Sequence, residues 1–237
     1  MRRILNLLML LTATIILGAS LAAAAPIGPD EINVTGSSRR ASTGPKELPA
    51  LAGNVTELSI SAVAVTNIWQ GYYGNITGTI VLDNANNKTM YSWNDMSPSG
   101  EIYAVRTSNS VNWASISCAN TTHIAEEEAA LNIQPNEKDG IDETFNQTVA
   151  TDFYVGTTHI TSCDHAQYLY ENDAPATSNN FLELLLHDGN YVIYTALINQ
   201  DKLGFDGATH DFQLMVPEDG HNGDTSATMY YFYVELN

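Results

Sequence analysis

The sequence predicts an all-β protein, an antiparallel Ig-like or jelly-roll-like β-sandwich of about 9–10 strands with one short inserted helix. Two observations predict this fold class. Short runs in which apolar or β-branched residues alternate with polar ones recur through residues 54–237, separated by clusters of Asn, Gly, Pro and Ser. Only one segment carries a convincing helical pattern. Many short strands joined by such turns are typical of β-sandwiches.

The strands are predicted from alternation in the first two runs, and in the others from short β-branched, aromatic or apolar runs bounded by turn residues. In the first, residues 58–65, Leu58 and Ile60 alternate with serines. The further runs are residues 76–83, 89–93, 101–106, 153–160, 181–186, 191–198, 212–216 and 228–236. Both faces of the last run are apolar or aromatic, so we expect it to be covered on both sides, either within the domain or by a partner.

The inserted helix is predicted at residues 122–131, with Thr121 or Thr122 as its N-cap. Three glutamates at residues 126–128 fall in its first two turns, where the helix dipole favours negative charge. A short helix in a β-domain commonly forms a corner or a cover.

The first 25 residues are expected to be a secretory signal peptide. Arg2 and Arg3 supply the positive start, residues 4–17 are almost wholly apolar, and small residues lead up to Ala25. The apolar run is shorter than the roughly 20 residues that span a bilayer, and an uncleaved anchor is the alternative. The sequence holds no second apolar stretch of spanning length. We therefore expect an extracellular or cell-surface protein with no membrane span in the mature chain.

Residues 26–53 are expected to form a flexible N-terminal arm or linker ahead of a β-sandwich domain at residues 54–237. The segment is rich in Pro, Gly, Ser and Thr, and its few charges balance. Residues 31–35 have a short strand-like pattern. The alternative is therefore an arm that docks onto a neighbouring subunit as an added strand.

The chain is strongly acidic, with 27 acidic and nine basic side chains, a formal charge of −18 and a pI near 4.3. Cleavage of the signal peptide would remove two basic residues and leave the mature chain more acidic still. This charge excludes nucleic acid and anionic membrane surfaces as partners. A solvated surface adapted to high salt and the binding of divalent cations both fit the pattern.

Cys118 and Cys163 are the only cysteines, and a disulfide between them is expected in an exported chain. It would close a loop that contains the predicted helix. Two separate thiols or bonds between subunits are the alternatives.

Six N-x-Ser/Thr sequons predict N-glycosylation of exposed turns. They begin at Asn33, Asn54, Asn75, Asn87, Asn120 and Asn146. An unmodified chain that is merely rich in asparagine is the alternative.

Two acidic clusters are candidate calcium sites, because calcium takes about six to eight oxygen ligands. The clusters are Asp139, Asp142 and Glu143, and Glu218, Asp219 and Asp224. Neither has the spacing of an EF-hand, and ordinary solvated turns are the alternative. No other cofactor is expected.

Trp69, Tyr72 and Tyr73 form an aromatic group that would stack on sugar rings if exposed, and would belong to the core if buried. No nucleophile elbow, phosphate-binding loop, dinucleotide-binding loop or zinc-protease motif occurs in the sequence. We therefore expect no catalytic residues and no enzyme.

Several segments resemble a known family. They are residues 69–82, 100–106, 111–118, 205–207, 212–220 and 231–236. The family consists of secreted archaeal surface glycoproteins with a β-sandwich domain. The resemblance implies an extracellular, β-rich glycoprotein and supplies no catalytic residues.

The functional hypothesis is a secreted structural surface protein that associates with copies of itself as a subunit of an extracellular filament, coat or adhesive assembly. Export, the N-terminal arm, the two apolar faces of the last strand and the lack of a catalytic motif motivate it. The alternative is a secreted carbohydrate-binding module that uses the aromatic group. A secreted hydrolase ranks third, since no pair of carboxylates stands out.

Overall fold

A computed structural model describes residues 25–93, 99–107, 110–218 and 226–237. Within them the protein is mostly β, with thirteen strands in antiparallel sheets. This confirms the predicted all-β, sandwich-like fold. The predicted signal peptide, apart from Ala25, lies outside the described residues.

The strands are β1 (Trp69–Gly74), β2 (Ile80–Asp83), β3 (Thr89–Trp93), β4 (Gly100–Val105), β5 (Ser117–Cys118), β6 (Gln147–Val155), β7 (Thr158–Tyr168), β8 (Leu182–His187), β9 (Val192–Ile198), β10 (Lys202–Leu203), β11 (Thr209–His210), β12 (Phe212–Pro217) and β13 (Tyr231–Leu236). The helices are α1 (Thr121–Ala130) and the single turn α2 (Ile141–Thr144). Two short 3₁₀ turns lie at Trp113–Ser115 and Asn179–Phe181.

The main sheet has seven strands in the order β13-β4-β9-β8-β7-β6, with β5 added onto β8. It curls until its two ends meet. The amide of Gly156, in the turn between β6 and β7, donates a 3.0 Å hydrogen bond to Oε1 of Glu235 on β13. Two register shifts in the β6–β7 pair permit this bend, because irregular pairing increases local twist.

Two hydrophobic cores lie on the two faces of the main sheet. The core inside the curl includes Tyr103, Val155, Cys163 and Leu184. The core on the outer face includes Ile124, Phe145, Tyr194 and Leu214. Each strand of the middle of the sheet is therefore apolar on both faces, which explains the fully buried runs of β8 and β9.

A second layer covers the outer face. It consists of the antiparallel pair β1–β12 together with α1 and α2. Leu214 and Val216 of β12 are fully buried beneath it. The indole ring of Trp69 packs against Phe145, with ring centroids 5.7 Å apart.

Helix α1 begins at Thr121, and its N-cap is Asn120 rather than either threonine. The Asn120 side chain accepts hydrogen bonds from the amides of Thr122 and His123, and the imidazole of His123 accepts from the Asn120 amide. Asparagine is one of the strongest N-cap residues, so it wins over the adjacent threonines.

The prediction of a sandwich strand at residues 58–65 is wrong. This stretch forms no helix or strand and is exposed, and it pairs with no strand in the part of the chain that the structure describes. The first strand begins at Trp69 instead. None of the described helices has the length and apolar character needed to cross a membrane.

Candidate interaction surface

The second layer stops short of the edge of the main sheet. Among the described residues, β1 pairs with β12 and with no other strand. Beside it, Phe232 and Val234 of the edge strand β13 are only half-buried although they pack on the outer core. The Tyr72 ring reaches across to Phe232 with a centroid distance of 5.3 Å and remains 38% exposed. We call Tyr72, Phe232 and Val234 the seam.

The backbone of β1 has unpaired hydrogen-bonding groups at its outer edge. Gly71 lies opposite Met215, whose amide donates a 2.9 Å hydrogen bond to Oε2 of Glu183 and not to β1. The Gly71–Met215 pair is therefore a non-hydrogen-bonded pair, and the Gly71 amide and carbonyl point away from β12. The Gly71 carbonyl accepts a 2.7 Å hydrogen bond from the neighbouring Gln70 side chain.

The opposite edge of the second layer is closed by Glu183. This residue is fully buried, and burial holds the pKa of its carboxyl well above the usual range. Burial therefore favours the uncharged form of this carboxyl, whose Oε2 accepts the Met215 amide. Its other oxygen, Oε1, has no partner among the described residues. Strands can consequently be added to the second layer at β1 but not at this point of β12.

The N-terminal arm leaves the domain and returns to it. The backbone of Ile27 exchanges two hydrogen bonds with Val234 on β13, at 3.0 and 2.8 Å. At the other end, the Thr66 hydroxyl donates to Asp139 Oδ2 at 2.5 Å. Between these anchors, residues 28–64 are almost wholly exposed, and a turn at residues 51–54 reverses the chain.

Exposed apolar side chains line the returning half of the arm. Leu58 is 54% exposed, Ile60 83% and Val63 69%. Isolated exposed apolar residues are normal, but a continuous strand-like row of them marks an interaction surface. The flexible arm predicted at residues 26–53 thus continues, in its exposed character, to residue 64.

A pair of carboxylates lies inside the curl of the main sheet. Glu101 on β4 and Glu235 on β13 are directly opposite each other, and they are 3% and 8% exposed. The Tyr103 hydroxyl donates to Oε2 of Glu235 at 3.2 Å and lies 3.5 Å from Oε2 of Glu101. Burial, and then the charge of Glu235, raise the pKa of Glu101 to about 8. Burial also raises the pKa of Glu235.

We expect Glu101→Gln to stabilise the domain near pH 8 and to change little near pH 5. The native state keeps a proton on Glu101 that the unfolded chain loses above the ordinary pKa, so stability falls as the pH rises towards about 8. At about 1.4 kcal/mol per pKa unit, the amide should raise the free energy of unfolding by about 2–4 kcal/mol near pH 8. Urea unfolding at both pH values measures this.

The exposed Glu137→Gln serves as the control for a general loss of negative charge. An equal effect of Glu101→Gln at the two pH values would contradict a raised pKa at this site.

The predicted disulfide is present. Cys118 and Cys163 are bonded, and they join β5 to β7 across 45 residues that contain both helices. The bond holds the second layer's helical cover against the main sheet.

All six sequon asparagines are exposed, which is a requirement for modification. Asn87 lies in the β2–β3 turn with a positive φ of 56°. Asn120 caps α1 through Oδ1, which leaves its Nδ2 available for a glycan. The Nδ2 of Asn146 donates one bond to the Glu143 carbonyl and has a second hydrogen. Glycosylation at Asn33, Asn54, Asn75, Asn87, Asn120 and Asn146 stays a prediction.

The three aromatic residues proposed for sugar stacking do not form one platform. Trp69 is half-buried, and its indole donates to the Asp139 carbonyl at 2.6 Å. Tyr72 and Tyr73 are consecutive in β1 and project to opposite faces. Tyr72 meets Phe232, whereas the Tyr73 ring lies 4.9 Å from that of Phe205.

The first acidic cluster uses its carboxylates in local hydrogen bonds. Asp139 accepts from Thr66, and Asp142 accepts from the amide of Glu143. No group of three or more metal-binding side chains is found in the described ranges. Asp219 and Asp224 of the second cluster lie outside them, and Glu218 is half-buried beside Ile68. Calcium binding stays a prediction.

The sequence analysis did not predict the free edge at Gly71, the buried Glu183 beside β12 or the buried pair Glu101 and Glu235. A lone glycine in a strand-like run was the one available signal, since glycine often marks close approach of another backbone. The pairing of Glu101 with Glu235 depends on strand register, and these residues are more than 130 positions apart in the sequence.

Comparison with known proteins adds no relative. No family model matches the chain, and searches of curated proteins and of solved structures find no match either.

Proposed function

We propose that the mature protein is a secreted, N-glycosylated structural subunit of an extracellular filament, coat or adhesive assembly built from copies of itself. The observation that carries this proposal is the arm, in which exposed apolar side chains lie between anchors at Ile27 and Thr66, with one further hydrogen bond from Arg39 to Asn67. The seam and the free edge of β1 provide a second, complementary surface on the same chain.

The energetics favour association. Full burial of a leucine, isoleucine or valine side chain is worth about 1.5–3 kcal/mol. Several such residues on the arm therefore supply a gain of the size that stable self-association requires. The exposed sequons and the disulfide support an exported subunit, since both chemistries belong to the secretory route.

The acidic charge opposes close packing of copies. With 27 acidic and nine basic residues, neighbouring domains repel unless salt or divalent cations screen them. We therefore expect assembly to depend on ionic strength.

The test uses the mature chain, residues 26–237, at a series of concentrations in low salt, high salt and calcium. Light scattering coupled to gel filtration measures the mass, and negative-stain microscopy shows the form of any assembly. We expect mass to increase with protein concentration and with screening. Monodisperse monomers at millimolar protein in every buffer would overturn the proposal.

A further inference from the structure

We propose that residues 55–65 of one copy add as a strand to the free edge of β1 in the next copy, with Leu58 and Ile60 covering the seam. This inference rests on the proposed self-assembly and names its interface. Strand addition to an exposed sheet edge is a general mode of recognition in which backbone bonds give affinity and alternate side chains give specificity.

The donor segment has one wholly apolar face and one mixed face. Leu58, Ile60, Ala62 and Ala64 share the first. The second is polar at its centre, with Glu57, Ser59 and Ser61, and carries valines towards both ends. The segment contains no proline, so its ladder of amides is uninterrupted. The sequon asparagine Asn54 precedes the segment by one residue, so a glycan there would lie outside the paired residues.

The donor segment is also long enough to pair along the whole of β1. Eleven extended residues span about 36 Å at about 3.3 Å per residue, whereas the six residues of β1 span about 20 Å. The exposure of Ile60 at 83% shows that its own domain does not use this side chain.

The acceptor is β1 and not β13, although both are edge strands. Ile27 already occupies the backbone groups of Val234 on β13. On β1, the outward groups of Gly71 and of its alternate neighbours Trp69 and Tyr73 face no strand in the described chain. Gly71 also has open space around it, because an added Cβ would meet nothing within 4 Å. A foreign backbone can therefore approach this point closely.

The donor segment is poorly placed to pair with β1 of its own chain. Only residues 66–68 separate the donor segment from β1, and both ends of this link are held. Thr66 is bonded to Asp139, and the Ile68 carbonyl accepts the amide of Glu218. The segment consequently departs from the domain and does not fold back as a hairpin, and a second copy is the partner that can supply it.

The first experiment compares Ile60→Asp with Ser59→Asp in the mature chain. Both add one carboxylate to the exposed arm, but only the first places it on the face that would be buried. Burying an unpaired charge costs several kcal/mol, so Ile60→Asp should raise the concentration for half-assembly by about 100-fold or more. Ser59→Asp should change it by less than about fivefold once salt screens the added charge.

The second experiment addresses the acceptor with Gly71→Pro and Gly71→Ala. Proline removes the outward amide and blocks strand addition, whereas alanine keeps the amide and fits the open space. We expect Gly71→Pro to be monomeric and Gly71→Ala to assemble. Circular dichroism and thermal unfolding check that both variants fold.

Mixing gives the sharpest readout. The Ile60→Asp variant keeps the acceptor edge of β1 and has a defective donor segment. The Gly71→Pro variant keeps the donor segment and has a defective acceptor edge. Each alone should be monomeric, and their mixture should form 1:1 dimers that cannot extend. Hydrogen exchange should show new protection of the Gly71 and Tyr73 amides in the Ile60→Asp partner.

The outcomes separate the two proposals. If the wild type fails to assemble, the proposed function falls. If the wild type assembles and Ile60→Asp assembles equally well, self-association stands and strand donation by residues 55–65 is overturned. A mixture that stays monomeric, with both variants folded, also overturns it.

Discussion

Removal of the Cys118–Cys163 disulfide is expected to lower the free energy of unfolding by about 4 kcal/mol, because a cross-link over 45 residues strongly restricts the unfolded chain. The two-residue strand β5 depends on the bond, since its ladder to β8 consists of only two residue pairs. We expect α1 to lose protection first, because it lies within the closed loop. Urea unfolding of Cys118→Ala/Cys163→Ala measures the loss.

The wild type under reducing conditions is the matched control. It keeps the volume of the buried Cys163 side chain and removes only the covalent link. A loss below about 1 kcal/mol in both samples would show that the loop is already ordered without the bond.

Glu127→Ala is expected to cost about 3–5 kcal/mol, because it leaves the guanidinium of Arg106 uncompensated in a largely buried position. Arg106 Nε and Nη2 donate to the two oxygens of Glu127 at 2.7 and 2.6 Å, and the side chains are only 21% and 5% exposed. Hydrogen bonding to Glu127 raises the pKa of Arg106 further, so the charge is permanent. The fully buried Tyr194 hydroxyl lies 3.5 Å from the same carboxylate.

Helix α1 supplies its own control in Glu126, which is exposed and adjacent to Glu127. Glu126→Ala should change stability by less than about 0.5 kcal/mol. The double variant Arg106→Met/Glu127→Leu should recover part of the loss, because a hydrophobic pair of similar volume often replaces a buried ion pair well. A loss from Glu127→Ala no larger than that from Glu126→Ala would contradict a structural role for the pair.

The sequence predicts much of this fold because local patterns determine its strands. Two apolar runs on either side of an Asp-Gly turn signal located β8 and β9, and the cysteine count predicted the disulfide that forms. The alternation at residues 58–65 predicts a strand that the described chain does not form within its own domain. It carries no information about which edge accepts it, because period-two alternation defines a face and not a partner.

Other features depend on register and could not be read from local patterns. Glu101 and Glu235 face each other only because β13 pairs with β4 in one particular alignment. The free edge of β1 follows from the Met215 amide bonding to Glu183, a contact between residues 32 positions apart. The resemblance to archaeal surface glycoproteins stays a prediction.

Glu183 occupies the Met215 edge of the second layer, whereas the Gly71 edge of β1 faces no strand in the described chain. A polymer grown by strand addition then has polarity, since each subunit contributes one arm and one slot to a heterologous contact. One end of the polymer would expose an unpaired β1 edge, and the other end would expose an unpaired donor segment. The two ends would therefore bind different partners. A partner at one end needs only a donor strand, and a partner at the other end needs only an acceptor edge.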